Sequence, residues 1–100
     1  MQLKNILKGI NYQTKGDINH KNIQNLCFST SDMHKNSLFF CLTGVNEDGH
    51  NYAQNAVMLG AIALVVEKFL DINILQIKVA DARTAMALCS ANFYGKPAEK

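Results

Sequence analysis

The sequence predicts a small α/β domain in which a sheet with some parallel pairing is layered against helices. Two continuous apolar runs, Leu38–Leu42 and Ile62–Val66, are typical of strands that are buried on both faces. A segment with helical apolar spacing lies between these two runs, and another helical segment closes the chain. An order in which strands alternate with loops and helices favours crossover connections and therefore parallel strands.

The first third of the chain predicts one helix and one strand. Apolar residues at helical spacing predict a short amphipathic helix within residues 1–10, stopped near Gly9. A polar stretch follows, with a turn signal at Gly16–Asp17. The segment Ile23–Phe28 is predicted to be a strand, and Ser29–Asp32 a polar loop.

The remainder predicts two further helices and a strand. A glycine-containing loop, Gly44–Gly49, precedes a helix near Asn51–Leu59. Alternation over Leu75–Val79 indicates a strand nearer the edge of the sheet, and Asp81 is placed to cap a helix that runs to Tyr94. The predicted buried faces of the two helices consist of Tyr52, Ala53, Ala56 and Leu59 in the first, and of Ala85, Leu88, Cys89 and Phe93 in the second.

Composition excludes several classes of function. One hundred residues with 48% hydrophobic content suit a single packed domain. A formal net charge of +2, with scattered lysines, does not favour nucleic-acid binding. The longest clean apolar run, Ala61–Val66, is too short to span a bilayer, and the first ten residues do not form a signal peptide. A monomer that contacts no membrane is expected.

The three cysteines, Cys27, Cys41 and Cys89, favour neither a disulfide framework nor a zinc site. Each lies in an apolar stretch, and no C-x-x-C pair occurs. We expect buried, reduced thiols in a reducing cytosol. No metal ligands are predicted.

Two loops could contact a ligand. Gly44–His50 follows a buried strand and precedes a helix, whose N-terminal amides favour phosphate. Ser29–Ser31 offers three hydroxyls after another strand. The alternative is an ordinary strand-to-helix connection in the first case and turn-stabilising hydroxyls in the second. His50 could donate to a phosphate or cap the helix. No G-x-x-x-x-G-K-[ST] motif occurs, and no catalytic residue is predicted.

An ordered series of motifs resembles the N-terminal domains of the Mur ligase family. It comprises Leu38–Gly44, then Asp48–Tyr52, then Val65–Lys68. The closing segments, Asp81–Arg83 and Phe93–Pro97, are similar to ligases of the MurE type and differ from those of the MurF type. The resemblance implies a three-layer, Rossmann-like small sheet domain over residues 1–95, with 96–100 starting a linker to an ATP-binding domain.

The resemblance also implies a function. MurE ligases are cytoplasmic, three-domain enzymes of peptidoglycan biosynthesis, and so contribute to cell shape and division. Their first domain holds the UDP of UDP-N-acetylmuramoyl-L-alanyl-D-glutamate, and their second binds ATP and Mg²⁺. Their third binds the incoming amino acid, meso-diaminopimelate or L-lysine. The chain would then be a substrate-binding domain that needs its central and C-terminal neighbours in cis, uses no cofactor itself and is inactive alone.

By position, the resemblance implies a set of substrate-binding residues in the two loops: Phe28, Thr30, Val45, Asn46, Glu47 and His50. The chain departs from the family pattern at Ser29 and Ser31, where the family has aspartate and arginine. An expected charge-assisted contact is therefore missing from the first loop.

Two alternatives stay open. One is the equivalent domain of a MurF ligase, and the other is a free-standing nucleotide-binding or interaction module without a ligase. The reading frame beyond Lys100 discriminates between a ligase and a module. Which third amino acid is used cannot be inferred from this chain.

Overall fold

The computed structural model describes residues 1–19, 21–28, 33–42 and 52–95. Within these ranges the chain forms three α-helices and five strands. In chain order they are α1 (Leu3–Ile6), β1 (Gln13–Lys15), β2 (Asn25–Cys27), β3 (Ser37–Phe40), α2 (Ala53–Leu59), β4 (Ala61–Val66), β5 (Leu75–Lys78) and α3 (Ala82–Tyr94).

The strands form one sheet in the order β1-β5-β4-β3-β2. The pairs β2–β3, β3–β4 and β4–β5 are parallel, whereas β1 is antiparallel to β5. The predicted α/β class and the inner positions of the strands at Leu38–Leu42 and Ile62–Val66 are confirmed. The strand at Leu75–Val79 does not form the edge, because β1 covers it through main-chain pairing that extends from Gln13–Lys78 to Lys15–Gln76.

Alternation along β3 and β4 builds a core on each face of the sheet. Phe40 and Val65 face a cluster that includes residues of α1 and α3, whereas Phe39 and Leu64 face a cluster that includes residues of α2. All four residues of β3 are buried, as expected for a strand covered on both sides. The three predicted layers, helix, sheet and helix, are therefore present.

The helices bury narrower faces than their patterns predicted. In α3, Ala85 and Cys89 are buried, but Leu88 is 44% exposed. In α2, Ala53 and Ala56 are buried, whereas Leu59 is 50% exposed. The buried positions of both helices hold small side chains, and larger residues at the margins of each stripe stay in solvent.

Some predicted bounds are wrong. The N-terminal helix is a single turn, and its end is held by α3, because Asn92 Nδ2 donates to the carbonyls of Ile6 and Lys8 at 2.9 Å each. The strand predicted at Ile23–Phe28 contains only Asn25–Cys27, and β3 begins one residue early at buried Ser37. The Ser37 hydroxyl is accommodated there because it donates to the carbonyl of His34.

Candidate functional site

The four parallel strands finish at one end of the sheet, which we call the carboxyl end. It is marked by the last residues of β2 to β5, which are Cys27, Phe40, Val66 and Lys78. In open α/β sheets, ligands bind in the crevice beyond this end. The ends of β2 and β3, which precede the two predicted ligand loops, both lie at this end of the sheet.

Phe28 is the one predicted substrate-binding residue within the described ranges. It directly follows β2 at the carboxyl end and is 61% exposed. The preceding residue, Cys27, is buried and pairs with Phe39 of β3, and its Sγ donates to the Ser37 hydroxyl at 3.6 Å. A fixed backbone therefore carries an aromatic side chain into solvent.

The other five predicted residues, Thr30, Val45, Asn46, Glu47 and His50, lie outside the described residues. The residues that flank the second loop are described. Beyond β3, the Cys41 amide donates to the Val65 carbonyl at 2.9 Å, which continues the ladder toward the carboxyl end. At the far end of α2, the Gly60 carbonyl accepts from the Ser37 amide at 3.4 Å. Hence α2 runs away from the carboxyl end, and its first residues lie nearer that end.

The N-terminus of α3 also lies at the carboxyl end, but its amides are occupied. As predicted, Asp81 caps the helix, and its Oδ1 accepts from the amides of Arg83 and Thr84 at 3.0 and 3.4 Å. The Ala82 amide donates to Oε2 of Glu67 at 2.8 Å. Two carboxylates therefore hold the first-turn donors, so this helix end does not offer a phosphate site.

The contact made by Glu67 was not predicted. It joins the residue after β4 to the start of α3 across fifteen positions in the sequence. Local patterns identify an N-cap such as Asp81, but they carry no signal for a capping carboxylate that comes from a different element.

A cavity of about 430 Å³ lies beyond β4 and β5. It is lined by residues 11–13 and 78–80 and by Glu67. Lys78 and Glu67 contribute opposite charges to its wall, so the cavity has no excess positive charge to attract a diphosphate.

The cysteines do not add a reactive group. All three are buried thiols outside any disulfide, as predicted. Burial raises the pKa of the Cys89 thiol to about 12, so it stays protonated at neutral pH. Among the side chains that the structure describes, no group of three His, Cys, Asp or Glu residues could hold a metal ion. No helix in the described ranges is long and apolar enough to cross a membrane.

Comparison with known proteins gives consistent matches. A family model described as "Mur ligase family, catalytic domain" matches residues 22–94. UDP-N-acetylmuramoyl-L-alanyl-D-glutamate--2,6-diaminopimelate ligase of Clostridium perfringens is 32% identical over 102 residues, covering 100% of this chain and 21% of that protein. The Geobacillus thermodenitrificans enzyme of the same name is 45% identical over 64 residues, covering 64% of this chain and 13% of its own.

Solved structures agree on the fold. MurF from Acinetobacter baumannii superposes with a TM-score of 0.79 at 24% identity, over 89% of this chain and 20% of that one. The chain thus spans about a fifth of the length of the full-length relatives that it matches.

Proposed function

The chain belongs to the Mur ligase family, as an N-terminal domain of the MurE type, and on this premise we propose that it binds the UDP moiety of UDP-N-acetylmuramoyl-L-alanyl-D-glutamate. The ligation itself, the addition of a third amino acid to the peptidoglycan precursor, belongs to the rest of a longer, cytoplasmic, monomeric enzyme. That enzyme would supply the ATP and Mg²⁺ sites and the pocket for meso-diaminopimelate or L-lysine in its other domains.

The relatives favour MurE over MurF. Proteins named as diaminopimelate-adding ligases are 32% to 45% identical to the chain, whereas the MurF structure, at 24% identity, shows a common fold alone. The names of those relatives contain the UDP-sugar dipeptide that we propose as the substrate.

The exposed aromatic side chain at the carboxyl end of β2 is the observation that carries the nucleotide-binding proposal. Phe28 is 61% exposed at the position where ligands of α/β sheets bind. Two competing positions at the same end are less suitable, since the N-terminus of α3 is capped by Asp81 and Glu67, and the cavity beside Lys78 has mixed charge.

Such a domain can serve to anchor a part of the substrate that lies far from the reacting groups. Binding energy gained on a non-reacting part of the substrate can position the peptide end for chemistry that takes place elsewhere. Affinity for UDP alone should be weak, because few atoms are available to offset the loss of translational and rotational freedom.

An amide NMR titration of the labelled chain with UDP tests the proposal, with UMP and uridine as controls. We expect perturbations at Phe28 and at the predicted residues of the two loops, Thr30, Val45, Asn46, Glu47 and His50, with the largest shifts for UDP. Perturbation confined to the cavity beside Lys78, or none at millimolar UDP, would show that the proposed site is wrong.

The variant Thr30→Val separates the side chain from the loop backbone. If the hydroxyl contacts the nucleotide, a folded Thr30→Val domain will bind UDP more weakly than the parent. If the titration is unchanged, that loop contributes to UDP binding through its backbone and not through the Thr30 hydroxyl.

A further inference from the structure

We propose that a groove at the carboxyl end of β4 and β5 binds a free amino acid with an aliphatic side chain, at a site distinct from the proposed nucleotide site. The groove consists of two cavities of about 430 and 240 Å³, which adjoin because they share the wall residues Asn11, Val79 and Ala80. The larger cavity falls within the range of roughly 300–1,000 Å³ that is typical of small-molecule sites. It also lies beyond the ends of parallel strands, where ligands of α/β sheets bind.

The walls of the groove carry charges of both signs. Lys78, the last residue of β5, contributes an ammonium group to the larger cavity, and Glu67, the residue after β4, contributes a carboxylate. Asp81 adds a second carboxylate to the wall of the smaller cavity. A simple anion would be repelled by the two carboxylates and a simple amine by Lys78. A zwitterion, by contrast, can place each of its charges near the opposite one.

The charged residues of the larger cavity extend from a well-held backbone. Lys78 pairs with Gln13 of β1 on one side and with Val66 of β4 on the other. Glu67 directly follows β4, and its Oε2 accepts from the Ala82 amide at 2.8 Å. Groups that are held in place before a ligand arrives lose less entropy when it binds.

The smaller cavity supplies an apolar wall, to which Ile10, Ala85 and Leu88 contribute. Leu88 was predicted to lie on the buried face of α3 but is 44% exposed. A ligand that covers Leu88 would remove apolar surface from water, which favours binding. When the ammonium and carboxylate of an amino acid occupy the larger cavity, its side chain can enter the smaller one. The groove therefore favours a branched aliphatic side chain over a methyl group.

The experiment titrates the labelled 100-residue chain with L-leucine and follows the amide shifts by NMR. We expect perturbations at Val79, Ala80 and Leu88. Three further probes each lack one part of the ligand: isocaproate lacks the ammonium group, isoamylamine lacks the carboxylate, and alanine lacks the aliphatic bulk. Each of the three should bind about tenfold more weakly than leucine, or weaker still.

Two variants test the walls of the groove separately. Lys78→Met removes the ammonium group but keeps an apolar chain, so it should weaken leucine binding about tenfold and leave isoamylamine binding no weaker. Lys78→Arg should retain leucine binding. Leu88→Ser should weaken leucine binding severalfold, because it removes part of the apolar wall. Lys4→Met is the matched control, because Lys4 is an exposed lysine of α1 that lines neither cavity.

The inference is overturned if millimolar leucine perturbs none of the three amides, or if any of the truncated probes binds as tightly as leucine. It is also overturned if Lys78→Met binds leucine as the parent chain does. Should Lys78→Met fail to fold, the comparison of the four probes on the parent chain still decides. A UDP titration of the same sample tests the proposed function separately, since its expected perturbations fall at Phe28 and in the two predicted ligand loops.

Discussion

Glu67 shows how a single carboxylate can connect two elements of this domain. It lies at the carboxyl end of β4 and accepts from the Ala82 amide at 2.8 Å, one step before the amides that Asp81 caps. Negative charge near a helix N-terminus is favourable, and a partly buried amide that loses its acceptor is costly. Glu67 therefore helps to fix where α3 begins relative to the sheet.

We expect Glu67→Ala to lower the free energy of unfolding by about 1–2 kcal/mol. Glu67→Gln should lose less, because it keeps an acceptor oxygen. Urea denaturation followed by circular dichroism measures both. Asp71→Ala, at an exposed loop position, is the control and should change stability by less than about 0.5 kcal/mol. Equal losses for Glu67→Ala and Asp71→Ala would contradict the capping role.

Cys89 makes stability depend on pH in the alkaline range. Burial raises its pKa from 9.0 to about 12, because the folded domain disfavours the thiolate. The unfolded chain ionises at the lower pKa and the folded chain at the higher one. The contribution of the thiol to stability is thus fully present below pH 9 and is lost progressively as the pH rises toward 12.

We predict that the parent chain loses stability more steeply than Cys89→Ala between pH 9 and pH 12. Denaturation midpoints at a series of pH values measure the two slopes, and the other titrating groups are common to both proteins. Parallel slopes would show that Cys89 does not ionise differently in the two states.

At the scale of elements, the end of α2 depends on the absence of a side chain at Gly60. The residue has φ of +126°, and an added Cβ would lie 2.9 Å from Cα of Lys35 and 3.0 Å from the carbonyl oxygen of His34. Both atoms belong to backbone that leads into β3, so relief of the contact would move that strand. The helix end and the entry to β3 are therefore packed against each other.

We expect Gly60→Ala to destabilise the domain by more than about 1 kcal/mol. Gly9→Ala is the matched control, because Gly9 also has positive φ, +86°, but an added Cβ would meet nothing within 4 Å. Its cost is backbone strain alone. Thermal unfolding of the two variants isolates the steric part, and a Gly60→Ala melting temperature at or above that of Gly9→Ala would rule it out.

The elements show which sequence patterns were sufficient for prediction. Continuous apolar runs identified β3 and β4, because burial on both faces leaves an unambiguous composition. The strand β1 was missed because its three residues are exposed and polar, and it is held by main-chain pairing to β5, which no local pattern records. Prediction of such long-range pairing requires knowledge of the partner strand.

Buried polar groups were equally difficult to predict from the sequence. Gln76 reads as the outward residue of an alternating strand, yet it is fully buried. Its side chain accepts from the Leu70 amide at 2.7 Å and donates to the carbonyls of Leu70 and Ile72 at 2.9 and 3.1 Å. A buried amide side chain is stable when such contacts satisfy it, and they come from a loop whose path the sequence does not reveal. For the site, the motif order predicted two ligand loops, and of their six predicted residues the structure describes Phe28, which follows β2 at the carboxyl end of the sheet.

At the scale of the whole molecule, the proposed function assigns the chain substrate binding and not the ligation. It covers 21% of the Clostridium perfringens ligase, and it contains no G-x-x-x-x-G-K-[ST] motif to hold ATP phosphates. Phosphoryl transfer depends on positioning and on charge stabilisation by such a loop together with bound Mg²⁺. Binding of UDP supplies neither.

We therefore predict that the 100-residue chain neither hydrolyses ATP nor forms the amide bond when it is supplied with Mg²⁺, UDP-N-acetylmuramoyl-L-alanyl-D-glutamate and diaminopimelate. Phosphate release should equal that of a buffer blank, and mass spectrometry should detect no tripeptide product. A full-length ligase assayed in parallel confirms that the reagents are competent. Sustained phosphate release that co-purifies with the folded chain and disappears on its denaturation would contradict the prediction. Such release would require a phosphate-binding arrangement within these residues. The role of the chain could then no longer be limited to substrate binding.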